Sequence, residues 1–327
     1  MIQLKSVLKD EINWFLALRK TSKSKSVYEH DRHTFKLFDE YLCSIDCDDK
    51  NLTEEQVTGW ISILTGKTST IANVVVVVRI FLSYLNGYGI NAYVPPIPKV
   101  SDDYIPYIFS DDEMKLIFSI ADTLQIGKPQ KNIFIHVELP MILRLMYGCG
   151  LRIGETLSLK MKDVDFDAGV LTMKYTKGDK QRLVPMHPSL TEILGQYCMA
   201  MGMVGYPEVY LFPTSDSMKP VTVHNAQHKF DFILKQCNIF LPGRKKHQRG
   251  PCMHCLRHVF VFKSFANAEK AGRRVDDSAP YLSIYLGHDS LKETEKYFKF
   301  SNEMFPNAME RFGGYTAQIF PEVSFDE

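Results

Sequence analysis

Apolar residues recur at helical spacing through the first hundred positions. Leu4, Val7, Leu8, Ile12, Phe15 and Leu16 form one stripe, and Tyr28, Phe35, Leu37, Phe38, Tyr41 and Leu42 a second, with the three-to-four-residue period of an amphipathic helix. Thr53 and Gln56 make a capping-box pattern ahead of Val57, Trp60, Ile61 and Leu64, so a helix starts there. The run Val74 to Val78 is ambiguous, because β-branched residues favour strands. Ile80, Phe81, Tyr84 and Leu85 nevertheless continue a helical stripe up to Asn86, Gly87 and Gly89, which predicts a helix over 71–85.

The periodicity then stops. Pro95-Pro96-Ile97-Pro98 and the polar Lys99 to Asp103 cannot continue a helix, and a proline-rich stretch of this kind reads as an extended linker, here about 94–106. Two domains follow from it, 1–103 and 107–327. The second opens at Ser110 with Glu113 as a capping box. Leu139 to Tyr147 reads as a buried helix ending at Gly148-Cys149-Gly150, with a new helix from Arg152 to about Leu159. Val170 to Tyr175 and Arg182 to Met186 are strand-like runs around Lys177-Gly178-Asp179, a β-hairpin with a lysine at its tip. From Thr191 onward the pattern is mainly helical. The fold class is mainly α with a small antiparallel β-sheet in the second domain, behind an all-α first domain.

Composition sharpens this only when divided along the chain. The 327 residues carry 39 Lys and Arg against 38 Asp and Glu, a net charge of +1, and 45% are hydrophobic. Wholesale disorder and fibrous repeats are excluded, and near-neutrality alone argues against a nucleic-acid partner. Residues 144 to 275, however, hold 20 basic and 10 acidic side chains, while the last fifty-two hold 4 and 10. A basic block is thus masked by acidic neighbours, and a binding surface depends on where charge sits. The seven cysteines are odd in number and scattered, and no leader-like pattern opens the chain; both predict a reduced, cytoplasmic setting. The most apolar run, Val74 to Val78, is broken by Arg79 and falls far short of the roughly 20 residues of a bilayer crossing, so no membrane partner is expected.

Inside the basic block several residues have little structural use. Arg152 follows a glycine-rich break in Gly150-Leu151-Arg152-Ile153-Gly154-Glu155. Its guanidinium therefore starts beside the unpaired N–H groups of a helix N-terminus, an end that favours anions. A surface ion pair with Glu155 is the simpler reading of that motif by itself. Further on, His254 and Arg257 stand three apart, on one helical face, ahead of the apolar Val259 to Phe265. Leu286-Gly287-His288-Asp289 precedes Ser290 and Glu293, a further capping box, with Tyr297 about two turns into the helix.

Taken in order, Gly-Leu-Arg152-x-x-Glu155, the hairpin Thr176 to Pro185, His254-x-x-Arg257-His258, Leu286-Gly287-His288 and Tyr297 resemble the tyrosine recombinase (phage integrase) family. The helical first domain and its linker look like the core-binding half of that family's DNA-encircling clamp. The resemblance implies a site-specific recombinase of integrase or transposase type that cleaves and rejoins duplex DNA through a 3′-phosphotyrosyl intermediate. It implies Arg152 and Arg257 on the phosphate oxygens, Tyr297 as nucleophile, His254 as base, His288 as a hydrogen-bond donor to the phosphate and Lys177 as general acid. Glu155 is expected to orient Arg257 or the helix around it. Lys180, Arg182, Arg244, Lys245 and Lys246 are candidate DNA contacts. The covalent intermediate conserves the phosphodiester energy, so neither nucleotide cofactor nor metal is implied. A homo-oligomer, a tetramer on two DNA sites, is implied as well, with the tail after about residue 301 docking on a neighbouring subunit.

Other readings stay open. A type IB topoisomerase-like enzyme shares the chemistry but acts on one duplex, and a DNA-binding regulator would keep the fold without catalysis. Cys252-x-x-Cys255 with His254 and His258 matches half of a zinc site, but no second Cys or His pair stands at suitable spacing. His258 is otherwise a packing residue. The stretch between Arg257 and His288, with Glu269 to Asp277, is longer than the family pattern suggests and reads as a surface insertion or helix extension.

Overall fold

The structure, a computed structural model, describes residues 3–100, 106–124, 134–174, 181–243, 249–288, 290 and 293–294. It divides into two units, Met1–Tyr104 and Ile105–Glu327, each with an apolar cluster of its own.

In the first unit the described helices are α1 (Lys9–Ser22), α2 (Lys25–Ser44), α3 (Glu54–Ile63) and α4 (Thr68–Gly87). The Thr53 hydroxyl accepts the Gln56 N–H at 3.3 Å while Gln56 Oε1 accepts the Thr53 N–H at 2.9 Å, so the capping box starts α3 as its spacing predicts. α4 runs straight through the valines. Val75, Val77 and Val78 are buried with Phe81, Leu82 and Leu85, and burial of that face outweighs the small helix penalty of β-branched residues. Phe35 and Phe81 meet edge-on at 5.1 Å between ring centroids, with Phe15 tilted against Phe81 at 5.4 Å. Counted as a helix, the apolar stretch is longer than the break at Arg79 suggested: α4 has the length and composition of a bilayer crossing. It packs on α1 and α2 as a core helix.

The second unit contains α5 (Asp111–Asp122), α6 (Ile135–Cys149), α7 (Ile153–Ser158), β1 (Val164–Asp165), β2 (Val170–Met173), β3 (Arg182–Pro185), α8 (Pro188–Ala200), α9 (Val223–Gln236), α10 (His254–Lys270) and α11 (Val275–Leu286). The apolar α6 lies among α5, α8, α9 and α10. The strands form one antiparallel sheet in the order β1-β2-β3. Pairs run from Val170 opposite Pro185 to Met173 opposite Arg182, the hairpin its spacing predicts, with β1 as an additional short strand on the β2 edge. Register matters here because it fixes where Arg182 points. The stretch from Glu269 to Asp277 forms the end of α10, a turn and the first residues of α11. Val261, Phe262 and Phe265 of α10 close on Ala279 and Leu286 of α11.

Both tryptophans, Trp14 and Trp60, belong to the first unit, so their fluorescence reports its unfolding. Phe81→Ala empties a fully buried ring site and should destabilise that transition by about 3–5 kcal/mol, read as a lowered urea midpoint of the tryptophan signal.

Candidate active site

The site is built on two helix ends. α6 stops at Gly150 (φ 61°) and α11 at Gly287 (φ 64°), both left-handed, a conformation that costs a residue with a Cβ roughly 1–2 kcal/mol. The α11 end is closed by the Gly287 N–H on the Ile284 carbonyl and the His288 N–H on the Ser283 carbonyl, each at 3.0 Å, the Schellman arrangement. Space demands glycine as well: a Cβ at Gly150 would run into the Phe260 ring, and one at Gly287 would lie 2.7 Å from the Arg182 guanidinium. Both turns leave carbonyl oxygens without helical partners, and two arginines take them.

Arg257, in the first turn of α10, is 1% exposed. It donates to the Gly150 carbonyl at 2.6 Å and to the Leu286 carbonyl at 3.0 Å. Arg152, the N-cap of α7, donates to the Gly287 carbonyl at 3.3 Å and to the same Leu286 oxygen at 3.5 Å. Two cations that share one acceptor lie side by side, and the Arg152 side chain keeps 28% of its surface exposed. Two guanidiniums are thereby fixed together, one buried and one partly exposed.

Glu155 holds the second arginine in place. It accepts the Arg152 backbone N–H and guanidinium, each at 3.0 Å. Arg182 reaches across from β3 to grip the same carboxylate bidentately at 2.8 and 3.2 Å and donates to the Tyr285 carbonyl at 2.9 Å. Burial works against the charged form of Glu155, but the hydrogen bonds from Arg182 and Arg152 hold its carboxyl below the usual range. Two expectations change. Glu155 acts on Arg152 and Arg182, where Arg257 was expected. Arg182, at 9% side-chain exposure, turns inward as a structural cation instead of outward to a DNA backbone; β3 register and the buried carboxylate decide this, and neither shows in a one-dimensional motif.

The histidines are kept neutral. His254 keeps an exposed surface, but desolvation by the packed protein around it, then the guanidiniums of Arg257 and Arg152, push it down to about 4. His258, edge-on to His254 at 4.8 Å, is pushed down to about 3 by burial and by His254 and Arg257. His288 is pushed down to about 3 by burial, Arg257 and Arg152. Its Nε2 lies 3.0 Å from an Arg257 N–H and its Nδ1 2.6 Å from the Thr294 hydroxyl. An arginine only donates, so Nε2 accepts and Nδ1–H donates to Thr294. A donor role toward phosphate requires the opposite tautomer, with the rotatable Thr294 hydroxyl turning its proton onto Nδ1. Thr294, fully buried, belongs to no motif and was invisible in the sequence.

Among the described residues no three His, Cys, Asp or Glu side chains converge as metal ligands. Lys177, Lys180, Arg244, Lys245, Lys246 and Tyr297 lie outside the described residues.

Removing one member of the Glu155–Arg182 pair strands a buried charge. Glu155→Leu or Arg182→Met should each destabilise the protein by about 3–5 kcal/mol, and the double variant by clearly less than the sum, in urea denaturation. The three depressed histidines set a pH dependence. The unfolded chain binds these protons near pH 6.5, whereas the folded sites wait until about 4 for His254 and about 3 for His258 and His288. The unfolded state therefore holds more protons in between, and stability, full above pH 6.5, is lost as the pH falls toward 4. The urea midpoint should drop between pH 7.5 and 5.0, and His258→Phe should shrink that drop.

Residues 108–304 match the model of the phage integrase family. A Sinorhizobium fredii protein named as an integrase/recombinase, y4rB, is 32% identical over 248 residues, covering 72% of this chain and 75% of its own. The tyrosine recombinase XerA of Pyrococcus horikoshii is 25% identical over 287 residues, covering 86% and 87%. Among solved structures, the Tn1549 transposon integrase in complex with circular intermediate DNA aligns with a TM-score of 0.67 at 16% identity, covering 94% of this chain and 99% of that one. XerH recombinase bound to its palindromic difH substrate aligns at 0.64 and 19%, covering 86% and 78%. The chain belongs to the phage integrase family, the tyrosine recombinases.

Proposed function

We propose that this protein is a site-specific recombinase that cleaves and rejoins duplex DNA through a 3′-phosphotyrosyl bond to Tyr297. The observation that carries the reading is the convergence of Arg152 and Arg257 on the carbonyl ends of α6 and α11, with the His288 ring against Arg257. Attack on a phosphodiester adds negative charge to the non-bridging oxygens, and preorganised cations aimed at them are the main source of acceleration. Arg152 offers its exposed edge first. As the phosphate enters, Arg257 turns an N–H from His288 to an oxygen, and His288, relieved of that donor, takes the Nε2–H tautomer and donates too. His254, neutral at physiological pH, accepts the Tyr297 phenol proton. The phenolate oxygen attacks phosphorus, the bond to the 5′-oxygen breaks, and Lys177 protonates that leaving oxygen. Religation runs the same steps backward.

The first unit serves as the core-binding domain, and Lys180, Arg244, Lys245 and Lys246 add phosphate contacts. Four copies on two duplexes perform the exchange, in the cytoplasm or nucleoid. A nicked suicide substrate drawn from the flanks of the encoding gene tests this. Wild type should trap a covalent 3′ adduct equally well with and without EDTA, whereas Tyr297→Phe should bind the DNA and trap none. Equal trapping by the variant would refute the nucleophile. Relaxation of a supercoiled plasmid lacking any such site would favour the topoisomerase-like reading.

A further inference from the structure

Two thiols of the second unit stand apart from the others. Cys252 and Cys255 bring their sulfurs to 3.7 Å across the first turn of α10. The Cys255 N–H closes that turn on the Cys252 carbonyl at 2.9 Å, and the Met253 N–H is anchored on Gln227 of α9 at 3.3 Å. Cys252 is partly exposed and Cys255 buried. The pair is chemically unequal. The hydrogen bond with Cys255, the amides of His254 and Cys255, and nearby Arg249 together overcome burial and draw the Cys252 thiol down. The same contact drives the Cys255 thiol far up. Burial instead raises Cys149 and Cys198 to about 12, and Cys43, Cys47 and Cys237 are also shifted upward, burial leading in each.

We propose that Cys252 and Cys255 are a dithiol modification site for small-molecule disulfides, closing to an intramolecular disulfide that disables the phosphate-binding recess. The Cys252 sulfur attacks one sulfur of RS–SR, the S–S bond breaks and RS⁻ leaves. Cys255 then gives up its proton, attacks the Cys252 sulfur of the mixed disulfide and expels the second RS⁻. The protein loses two hydrogens and two electrons, and RS–SR becomes two RSH. A partly exposed attacking thiolate backed by a buried resolving thiol at a helix N-terminus suits this exchange.

The consequence for the site follows from geometry. Closing the sulfurs from 3.7 Å to the bond length of about 2.05 Å tightens the turn that holds His254 between them, and Arg257 lies two residues beyond. Misplacement of about an ångström at such groups costs roughly 10- to 100-fold in rate. This step rests on the proposed recombinase chemistry; the formation of the disulfide does not.

The experiment treats the whole protein with oxidised glutathione. Peptide mapping without reduction should find Cys252 joined to Cys255, two hydrogens lighter. Cys255→Ser should stall with glutathione on Cys252, and Cys252→Ser should form neither product. Suicide-substrate cleavage by oxidised wild type should fall at least tenfold and return with dithiothreitol, while Cys252→Ser, active as the reduced wild type, should ignore the oxidant. Glutathione found only on Cys43 or Cys47 would overturn the proposal. A mapped disulfide with undiminished cleavage would overturn its effect on the recess. Failure of the reduced protein to cleave any DNA would instead sink the recombinase reading, and the mapping would still decide whether the dithiol site exists.

Discussion

Two guanidiniums held against one carbonyl oxygen are the constraint from which the second unit can be understood. Arg152 and Arg257 both donate to Leu286, and like charges this close repel strongly once water is largely excluded. The arrangement stands because two helix C-terminal ends and one carboxylate offer negative potential to the pair. The C-terminal ends of α6 and α11, where helix dipoles concentrate partial negative charge, point at the pair, and Glu155 supplies a full negative charge beside Arg152. The pair is thus compensated by carbonyls and a carboxylate, while the Arg152 side chain keeps 28% of its surface exposed.

That condition propagates outward. The helix ends can present their carbonyls only because Gly150 and Gly287 take left-handed backbone. Glu155 can stay charged in a buried position only because Arg182 joins Arg152 on it, and Arg182 reaches it only from the β3 register that places it opposite Met173. The Arg182 guanidinium then fills the space over Gly287, so the hairpin and the α11 turn are fitted to each other. The small sheet is held both by Leu171, Met173 and Val184 in the apolar core and by the Arg182–Glu155 pair.

The helices were readable in the sequence because their signals are local. The Thr53–Gln56 and Ser110–Glu113 boxes and the stripe through Phe81 and Leu85 need only neighbours a turn away, and even the valine run followed its flanking pattern. The residues that gather at the site were readable by spacing, but their partnerships were not. Glu155 looked like a partner for Arg257, and Arg182 like a DNA contact, because a linear motif carries no distances across 27 or 103 residues of chain. Thr294 had no signal at all: a threonine early in a helix is ordinary until a buried imidazole needs a hydroxyl that can either give or take a proton.

The basic block must be reconsidered in the same terms. Counting 20 cations against 10 anions over residues 144 to 275 treats each as if it faced outward. Arg182 is spent on Glu155, and Lys174 on the buried Asp163. Lys160 and Lys162 share Glu208, Arg144 pairs with Asp122, and Lys263 with Asp111. The last two anions lie outside the block, so the acidic segment before it neutralises part of the excess at short range. What remains for a polyanion is smaller than the count and more concentrated. Arg257 is buried and Arg152 largely so, and affinity for DNA at large must come from cations elsewhere. The distinction is physical: exposed cations, screened by salt, can hold a backbone of any sequence, whereas the Arg152–Arg257 pair is fixed in place by carbonyls and a carboxylate.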